Sequence, residues 1–257
     1  MRRIAIQLEY DGTEFLGWQL QKKGRTVQGA VEEAAARATG AAGRVPVHGA
    51  GRTDAGVHAA GQMAHFDTDS RIDPGSIADA LNYWLPDDVS VLAAAVVPQS
   101  FHARFAAIAK RYRYRVLLSP VPRPLRDRYA LRVGEPIDAE RMKLCAAALE
   151  GKQDFACFTS AGSSVRSTVR KVRMSRWVRG DEEWHYLVEA DGFTYHMVRA
   201  MVGTMLAVGR HRFTVEEVRQ LLVTGDRSRA GPTAPARGLC LMKVYYEQSP
   251  EFDLWPR

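Results

Sequence analysis

A carboxylate, an imidazole and a guanidinium stand within nine residues, Gly51-Arg52-Thr53-Asp54-Ala55-Gly56-Val57-His58-Ala59, between runs that read as strands. The glycines at 51 and 56 let the backbone turn sharply or approach a substrate closely, and an aspartate at the turn can be presented by its own Asx geometry. Ordinary tight connections use the same Asp-x-Gly chemistry, so the loop alone leaves both readings open. A second stretch, 109–118, alternates in the same informative way. In an extended strand Tyr112, Tyr114, Val116 and Leu118 share one face, and Arg111, Arg113 and Arg115 share the other. It is either a core strand with its arginines in water or a surface where a base stacks on a tyrosine with phosphate contacts nearby. Arg199 falls in the first turns of a helix whose other side is methionine and alanine. It is either an exposed helix charge or a semi-buried guanidinium, which would need a carboxylate partner.

Other chemistries lack their residues. The histidines at 48, 58, 65, 102, 185, 196 and 211 show neither His-x-His nor His-Glu-x-x-His spacing, and Cys145, Cys157 and Cys240 show no Cys-x-x-Cys. That argues against a metal site and a disulfide framework and makes the cysteines small core residues. No phosphate-binding Gly-x-x-x-x-Gly-Lys, dinucleotide Gly-x-Gly-x-x-Gly or Gly-x-Ser-x-Gly elbow occurs. A carboxylate, an arginine and a tyrosine remain, which suits a reaction needing a nucleophile and proton transfer but no cofactor.

The elements that must position these groups follow from periodicity. Residues 3–10 place Ile4, Ile6, Leu8 and Tyr10 on one face of a strand, with a turn at Asp11-Gly12. Thr26 caps a helix with Val27, Ala30, Val31, Ala34 and Ala38 on its apolar face, closed by Gly40. Strands are predicted at 45–48 and 59–66, and a helix after Asp73-Pro74 whose buried side is Ile77, Ala80, Leu81 and Trp84. A strand at 89–97 completes βαββαβ. The second half repeats that order over a strand at 109–118, a helix at 138–150, strands at 169–178 and 184–189, a helix at 196–208 and a closing strand at 239–245. An extra capping-box helix starts at Thr214. The expectation is α+β, two ferredoxin-like halves at 1–106 and 107–257, whose antiparallel sheets can lie side by side around a cleft.

Composition fits a folded protein that meets a polyanion. The 257 residues are 46% hydrophobic and 25% charged, enough for a sizeable core. The N-terminus lacks the apolar run of a signal peptide and no stretch is long enough to span a bilayer, so a cytoplasmic location is expected. Net charge is +7, divided as −2 over 1–106 and +9 over 107–257. Residues 110–132 hold eight Lys/Arg against the single Asp127, and 166–179 hold six against none. Two such stripes suggest nucleic acid. No lipidation motif or basic amphipathic helix favours a membrane.

The nine-residue loop, read with Trp18-Gln19, Arg25-Thr26-Val27-Gln28, Phe101-His102-Ala103-Arg104-Phe105, Tyr112-Arg113-Tyr114 and His196-Met197-Val198-Arg199, resembles the bacterial tRNA pseudouridine synthase A family, in order from Tyr10 to Leu239. The resemblance implies two α+β domains around a basic cleft with the acid loop at its floor, a homodimer, and isomerisation of uridine to pseudouridine at tRNA positions 38, 39 and 40. It makes Asp54 the catalytic carboxylate, Tyr112 the ring that stacks on the target uracil and Arg199 the partner of Asp54. Arg52, Arg104, Arg111 and Arg113 then become RNA contacts. Two rivals stay open: a catalytically silent RNA-binding protein on the same scaffold, although this chain keeps Asp54, and a synthase with a different RNA target. Ser167 stands where the family usually has threonine, and Ala200 follows Arg199 where asparagine is usual.

Overall fold

A computed structural model describes residues 1–163, 165–250 and 252. The architecture is mixed α+β, and the chain separates into two compact units, residues 1–108 with 241 onward and residues 109–240. The expected halves ended at 106 and 257. The difference at the C-terminal end has a physical cause: from Leu241 the last strand runs beside a strand of the first unit, so closely that a Cβ on Gly61 would lie 2.5 Å from the Met242 carbonyl oxygen.

The first unit contains β1 (Arg2–Tyr10), α1 (Val27–Thr39), β2 (His48–Gly49), β3 (His58–Thr68), α2 (Ile77–Asn82) and β4 (Val89–Val97), in the order the sequence predicts. β1 pairs antiparallel with β3 and β4, and β2 pairs antiparallel with β3. Ile4, Ile6, Leu8 and Tyr10 are buried as their alternation requires. Thr26 caps α1 by accepting from the Gly29 N–H, and Gly40 ends it in the left-handed region.

Two expectations fail here. The strand predicted over 45–48 is reduced to β2, because the Val47 N–H donates to Glu32 at 3.1 Å and its carbonyl accepts from Gln28 at 3.0 Å. Side chains of α1 take the bonds a neighbouring strand would have made. The periodicity puts Trp84 on the buried side of α2, but the helix stops at Asn82 and the indole is exposed, with the Arg37 guanidinium 5.1 Å from its ring centroid.

The second unit is built on β5, which begins at Ala107 and ends at Leu118, followed by α3 (Pro124–Asp127), β6 (Leu131–Val133), α4 (Ala139–Ala148), β7 (Gly151–Asp154), β8 (Val169–Arg179), β9 (Glu183–Ala190), α5 (Met197–Gly209) and α6 (Val215–Thr224). The last strand, β10 (Leu239–Tyr246), starts within it and continues into the first unit. Within the second unit the sheet runs β5-β9-β8-β7, with β6 parallel to β5. α3, β6 and β7, three or four residues each, are too short to leave a periodic signal in the sequence.

α5 is buried along its whole length except at Arg199. It reads as one-sided in sequence but sits in the core, where the Trp177 indole N–H meets the Met205 sulfur at 3.2 Å. Cys145 and Cys157 are buried, and burial first of all pushes each thiol up to about 12. Cys240 is only half-buried.

Candidate active site

The acid loop lies between β2 and β3 and is held by backbone bonds to residues 15–18 and within itself. The Trp18 N–H donates to the Thr53 carbonyl at 3.0 Å, the Gly56 N–H to Phe15 at 3.2 Å, and the Val57 N–H to Asp54 at 3.1 Å. Side chains complete the frame. Tyr10 and Thr53 hydroxyls are 2.8 Å apart, the Gln62 amide donates to Gly51 at 2.9 Å, and the Gly12 N–H donates to His58 Nδ1 at 3.1 Å. Buried polar groups paired this completely fix a loop rather than merely crowd it.

Asp54 is half-buried within this frame and Arg52 is exposed beside it. The turn after Asp54 uses Gly56 at φ +75°, as the loop composition suggests. Closer constraints come from outside the loop. Gly17 has φ +90° and a Cβ there would sit 2.6 Å from the Thr53 carbonyl oxygen; at Gly12 it would sit 2.0 Å from that of Val57. The segment from Tyr10 to Trp18 is therefore a cradle for the acid loop. In the sequence Asp11-Gly12 reads as a turn and Trp18-Gln19 as a point of resemblance; the signal for their packing role is the pair of glycines, 12 and 17, among aromatic residues.

Arg104 follows β4 in an exposed position, 5.7 Å from the Phe105 ring centroid. Its segment is anchored by buried His65, whose Nδ1 accepts from the Ala103 N–H at 3.2 Å, and by Tyr246, whose hydroxyl donates to the Ala103 carbonyl at 2.7 Å. His48, His65 and His102 rings cluster here, with centroids 4.6–5.7 Å apart. Burial first, then His102, Arg3 and His48, push the His65 imidazole down to about 4. It stays neutral and keeps its acceptor nitrogen.

In the second unit Tyr112 is buried on β5 and meets the edge of Phe193, with centroids 5.1 Å apart. Tyr114 and Val116 are buried on the same face, but Leu118, at the strand end, is exposed. The arginine face does not stand in water as a bare cationic row. Register brings Arg111 opposite Glu189, and the two pair at 2.8 Å. Arg115 pairs with buried Glu183 at 2.7 Å. Burial raises the pull toward the neutral acid at Glu183, but Arg115 and His185 override it and hold the carboxyl below its usual range. Arg113 is half-buried between them, with its Nε buried and making no hydrogen bond among the described residues.

The stripe at 110–132 is therefore corrected: counted along the chain it faces only Asp127, whereas in space Glu182 pairs with Arg123 and Arg126, and Glu183 and Glu189 pair with β5. The 166–179 stripe differs. On β8, Lys171, Arg173, Arg176 and Arg179 are exposed.

Arg199 lies in the first turn of α5, half-buried, with Nε donating to the Ala234 carbonyl at 2.8 Å while the Ala234 N–H returns a bond to the Arg199 carbonyl at 3.1 Å. The helix starts from His196, a non-glycine residue at φ +62°, whose ring stacks on Tyr195 and whose Nδ1 is 3.0 Å from the Ser160 hydroxyl. A left-handed histidine is a local strain that its surroundings must hold in place. Of the two atypical positions, Ala200 is fully buried in α5, and exposed Ser167 accepts from the Val169 N–H at 3.2 Å.

The sequence profile of tRNA pseudouridine synthase matches residues 5–106 and 145–247. A tRNA pseudouridine synthase A of Geobacter sp. (strain M21) is 43% identical over 249 residues, covering 96% of this chain and 100% of the relative. The chain belongs to the tRNA pseudouridine synthase A family. Membership in this isomerase family extends across both units. The relative from Syntrophotalea carbinolica is 44% identical over 96% of this chain and 97% of its own length, and that from Shouchella clausii 42% identical over 96% and 95%. Asp54, Arg52 and Arg104 fall in the first matched segment and Arg199 in the second; Tyr112, Arg111 and Arg113 lie between the two.

Proposed function

We propose that this chain isomerises uridine to pseudouridine at positions 38–40 of the tRNA anticodon stem-loop, without a cofactor. The observation that carries the proposal is the acid loop: a half-buried Asp54 at a turn fixed by paired backbone groups, inside a region matched by the synthase family. A carboxylate carried on backbone fixed in this way starts from a defined position for attack or proton abstraction.

The reaction keeps composition. The N-glycosidic bond breaks, the uracil rotates, carbon 5 joins the sugar and loses its proton, and the freed ring nitrogen N1 takes up a proton from solvent. Asp54 attacks the sugar, adds to the uracil ring, or removes a sugar proton on a glycal route; all three begin from its ionised form. The target nucleotide must first leave its stack, at a cost of roughly a few kcal/mol, and Tyr112 supplies the ring that receives it. Arg199 is the counter-charge for the aspartate, and Arg52, Arg104, Arg111 and Arg113 hold RNA. Arg111 can do so while paired with Glu189, because its guanidinium has donors beyond those that the carboxylate engages.

The wider proposal is two ferredoxin-like halves around a basic cleft, working in the cytoplasm as a homodimer whose second protomer supplies part of the phosphate grip. Pseudouridine mapping in tRNA from cells lacking and then regaining the gene tests the function. Loss at positions 38–40 and its return are expected. Unchanged modification on deletion contradicts the proposal.

A further inference from the structure

The arginine of the acid loop ends a hydrogen-bonded relay that runs into the body of the first unit. Arg52 Nε donates to Gln19 Oε1 at 2.9 Å, the Gln19 amide to Gln28 Oε1 at 2.6 Å, and the Gln28 amide to Glu32 Oε1 at 3.0 Å. The outer end is exposed, Gln19 is half-buried, and Gln28 and Glu32 are buried. At the inner end Glu32 also accepts from Arg44, Nε at 2.6 Å and Nη2 at 2.9 Å, and from the Val47 N–H at 3.1 Å. Gln28 makes two more bonds, accepting from the Leu20 N–H at 2.8 Å and donating to the Val47 carbonyl at 3.0 Å.

The direction of the relay follows from its ends. A glutamine amide can usually be turned end for end, because it has a donor and an acceptor of similar shape. An ionised carboxylate only accepts, and a guanidinium only donates. Glu32 and the Val47 carbonyl, which only accept, and the Leu20 N–H, which only donates, therefore together make Gln28 turn its NH2 inward and its oxygen toward Leu20 and Gln19. Gln19 must then donate inward as well, which leaves its oxygen at the loop, where Arg52 Nε–H meets it. The buried inner end, Glu32 with the peptide groups of Leu20 and Val47, sets the orientation of two amides and, through them, of an exposed arginine.

We propose that Gln19, Gln28 and Glu32 are positioning residues that fix the Arg52 side chain before RNA arrives, keeping its Nη donors as a preset fork for one substrate phosphate. This rests on the assignment of Arg52 as an RNA contact. An exposed arginine normally loses rotamer freedom when it binds; here much of that loss has already occurred on folding. A bidentate fork gains most from such preparation, since both its bonds need one geometry.

A purely structural network would hold α1 to residues 44–47 and have no effect on RNA. Gln28→Met and Glu32→Gln, alone and combined with Arg52→Ala, separate the two roles through kcat, KM for tRNA, the salt dependence of binding and thermal unfolding. Each inner substitution should raise KM about tenfold while kcat at saturating tRNA stays within about twofold, the pattern of lost binding rather than lost chemistry. In the Arg52→Ala background the same substitutions should lower Tm as before but leave KM unchanged. Arg52→Ala should lower the log–log salt slope by about one phosphate, somewhat under one unit.

If an inner variant fails to fold, Gln19→Met cuts the relay one link farther out and enters the same cycle. A KM effect that persists in the Arg52→Ala background, or none in the wild-type background, overturns the proposal. If Arg52→Ala leaves KM and the salt slope unchanged in an enzyme that still makes pseudouridine, the relay has no RNA role although the proposed reaction stands. If the wild type makes no pseudouridine, the proposed function has failed instead.

Discussion

The acid loop and β5 both carry proposed site residues, but their surroundings constrain them differently. The loop is fixed by backbone: peptide bonds from Phe15, Trp18 and Gly56, and two glycines whose missing side chains leave room for the Thr53 and Val57 carbonyls. β5 is fixed by charge: Arg111 and Arg115 meet carboxylates on β9, more than sixty residues away in the sequence. Backbone frames tolerate almost no added volume, whereas a charge frame tolerates substitution if both partners change together. The loop should therefore respond to a single methyl group and β5 to charge and pH.

The largest effect is expected at the cradle. Gly12→Ala would press a methyl group against the Val57 carbonyl, with the Cβ 2.0 Å from that oxygen. It should cost about 3 kcal/mol or more in chemical denaturation and lower turnover even where the protein remains folded. Wild-type stability in Gly12→Ala would mean that the cradle is looser than its geometry.

On β5, Arg115→Ala leaves the buried Glu183 with His185 but without its guanidinium partner and should cost about 1–3 kcal/mol at neutral pH. The sign with pH is definite. Because the Glu183 carboxyl is held below its ordinary range, the pair contributes stability above the unfolded carboxylate pKa and loses it as pH falls through the lower folded value. The wild-type advantage over Arg115→Ala should therefore shrink in acid. A pH-independent gap between the two unfolding curves would put the effect in packing instead.

A smaller effect is expected at Tyr112, where stacking is worth about 1–3 kcal/mol per base. Tyr112→Ala should lower activity at sub-saturating tRNA, while Tyr112→Phe retains the ring and reports on the hydroxyl. Wild-type kinetics in Tyr112→Ala would reduce Tyr112 to a core residue, as its burial alone would allow.

The smallest effect concerns His65. Between about 4 and its ordinary value near 6.5 the unfolded chain binds a proton that the folded chain does not, so stability falls as pH drops through that window. His65→Asn keeps an acceptor for the Ala103 N–H without titrating. Its Tm should decline less over that interval; an identical slope would remove His65 as the cause.

The two regions were also unequally legible in the sequence. Elements with a clear period, β1, β3, β4, α1 and the core of β5, stand where alternation and capping put them. The acid loop declared itself through residue types, but its cradle did not, because a glycine needed for close approach looks like any turn glycine. Charge was the most misleading signal. Counting along 110–132 finds one acid, and the fold brings in three more from residues 182–189. β2 shrank because Gln28 and Glu32, which look like surface positions on α1, turned inward and took Val47's peptide bonds. A pattern based on side-chain polarity cannot foresee a polar side chain that substitutes for a strand. The resemblance to a known family carries the functional assignment farther than the loop residues do, since those alone leave Asp54 open between a turn residue and a catalytic acid.

The central claim is that the Asp54 carboxylate performs the chemistry. Purified Asp54→Asn should bind tRNA within a few-fold of wild type while releasing no proton from carbon 5 of labelled uridine. Detectable multiple turnover by that variant, at any fraction of the wild-type rate above a no-enzyme control, would contradict it.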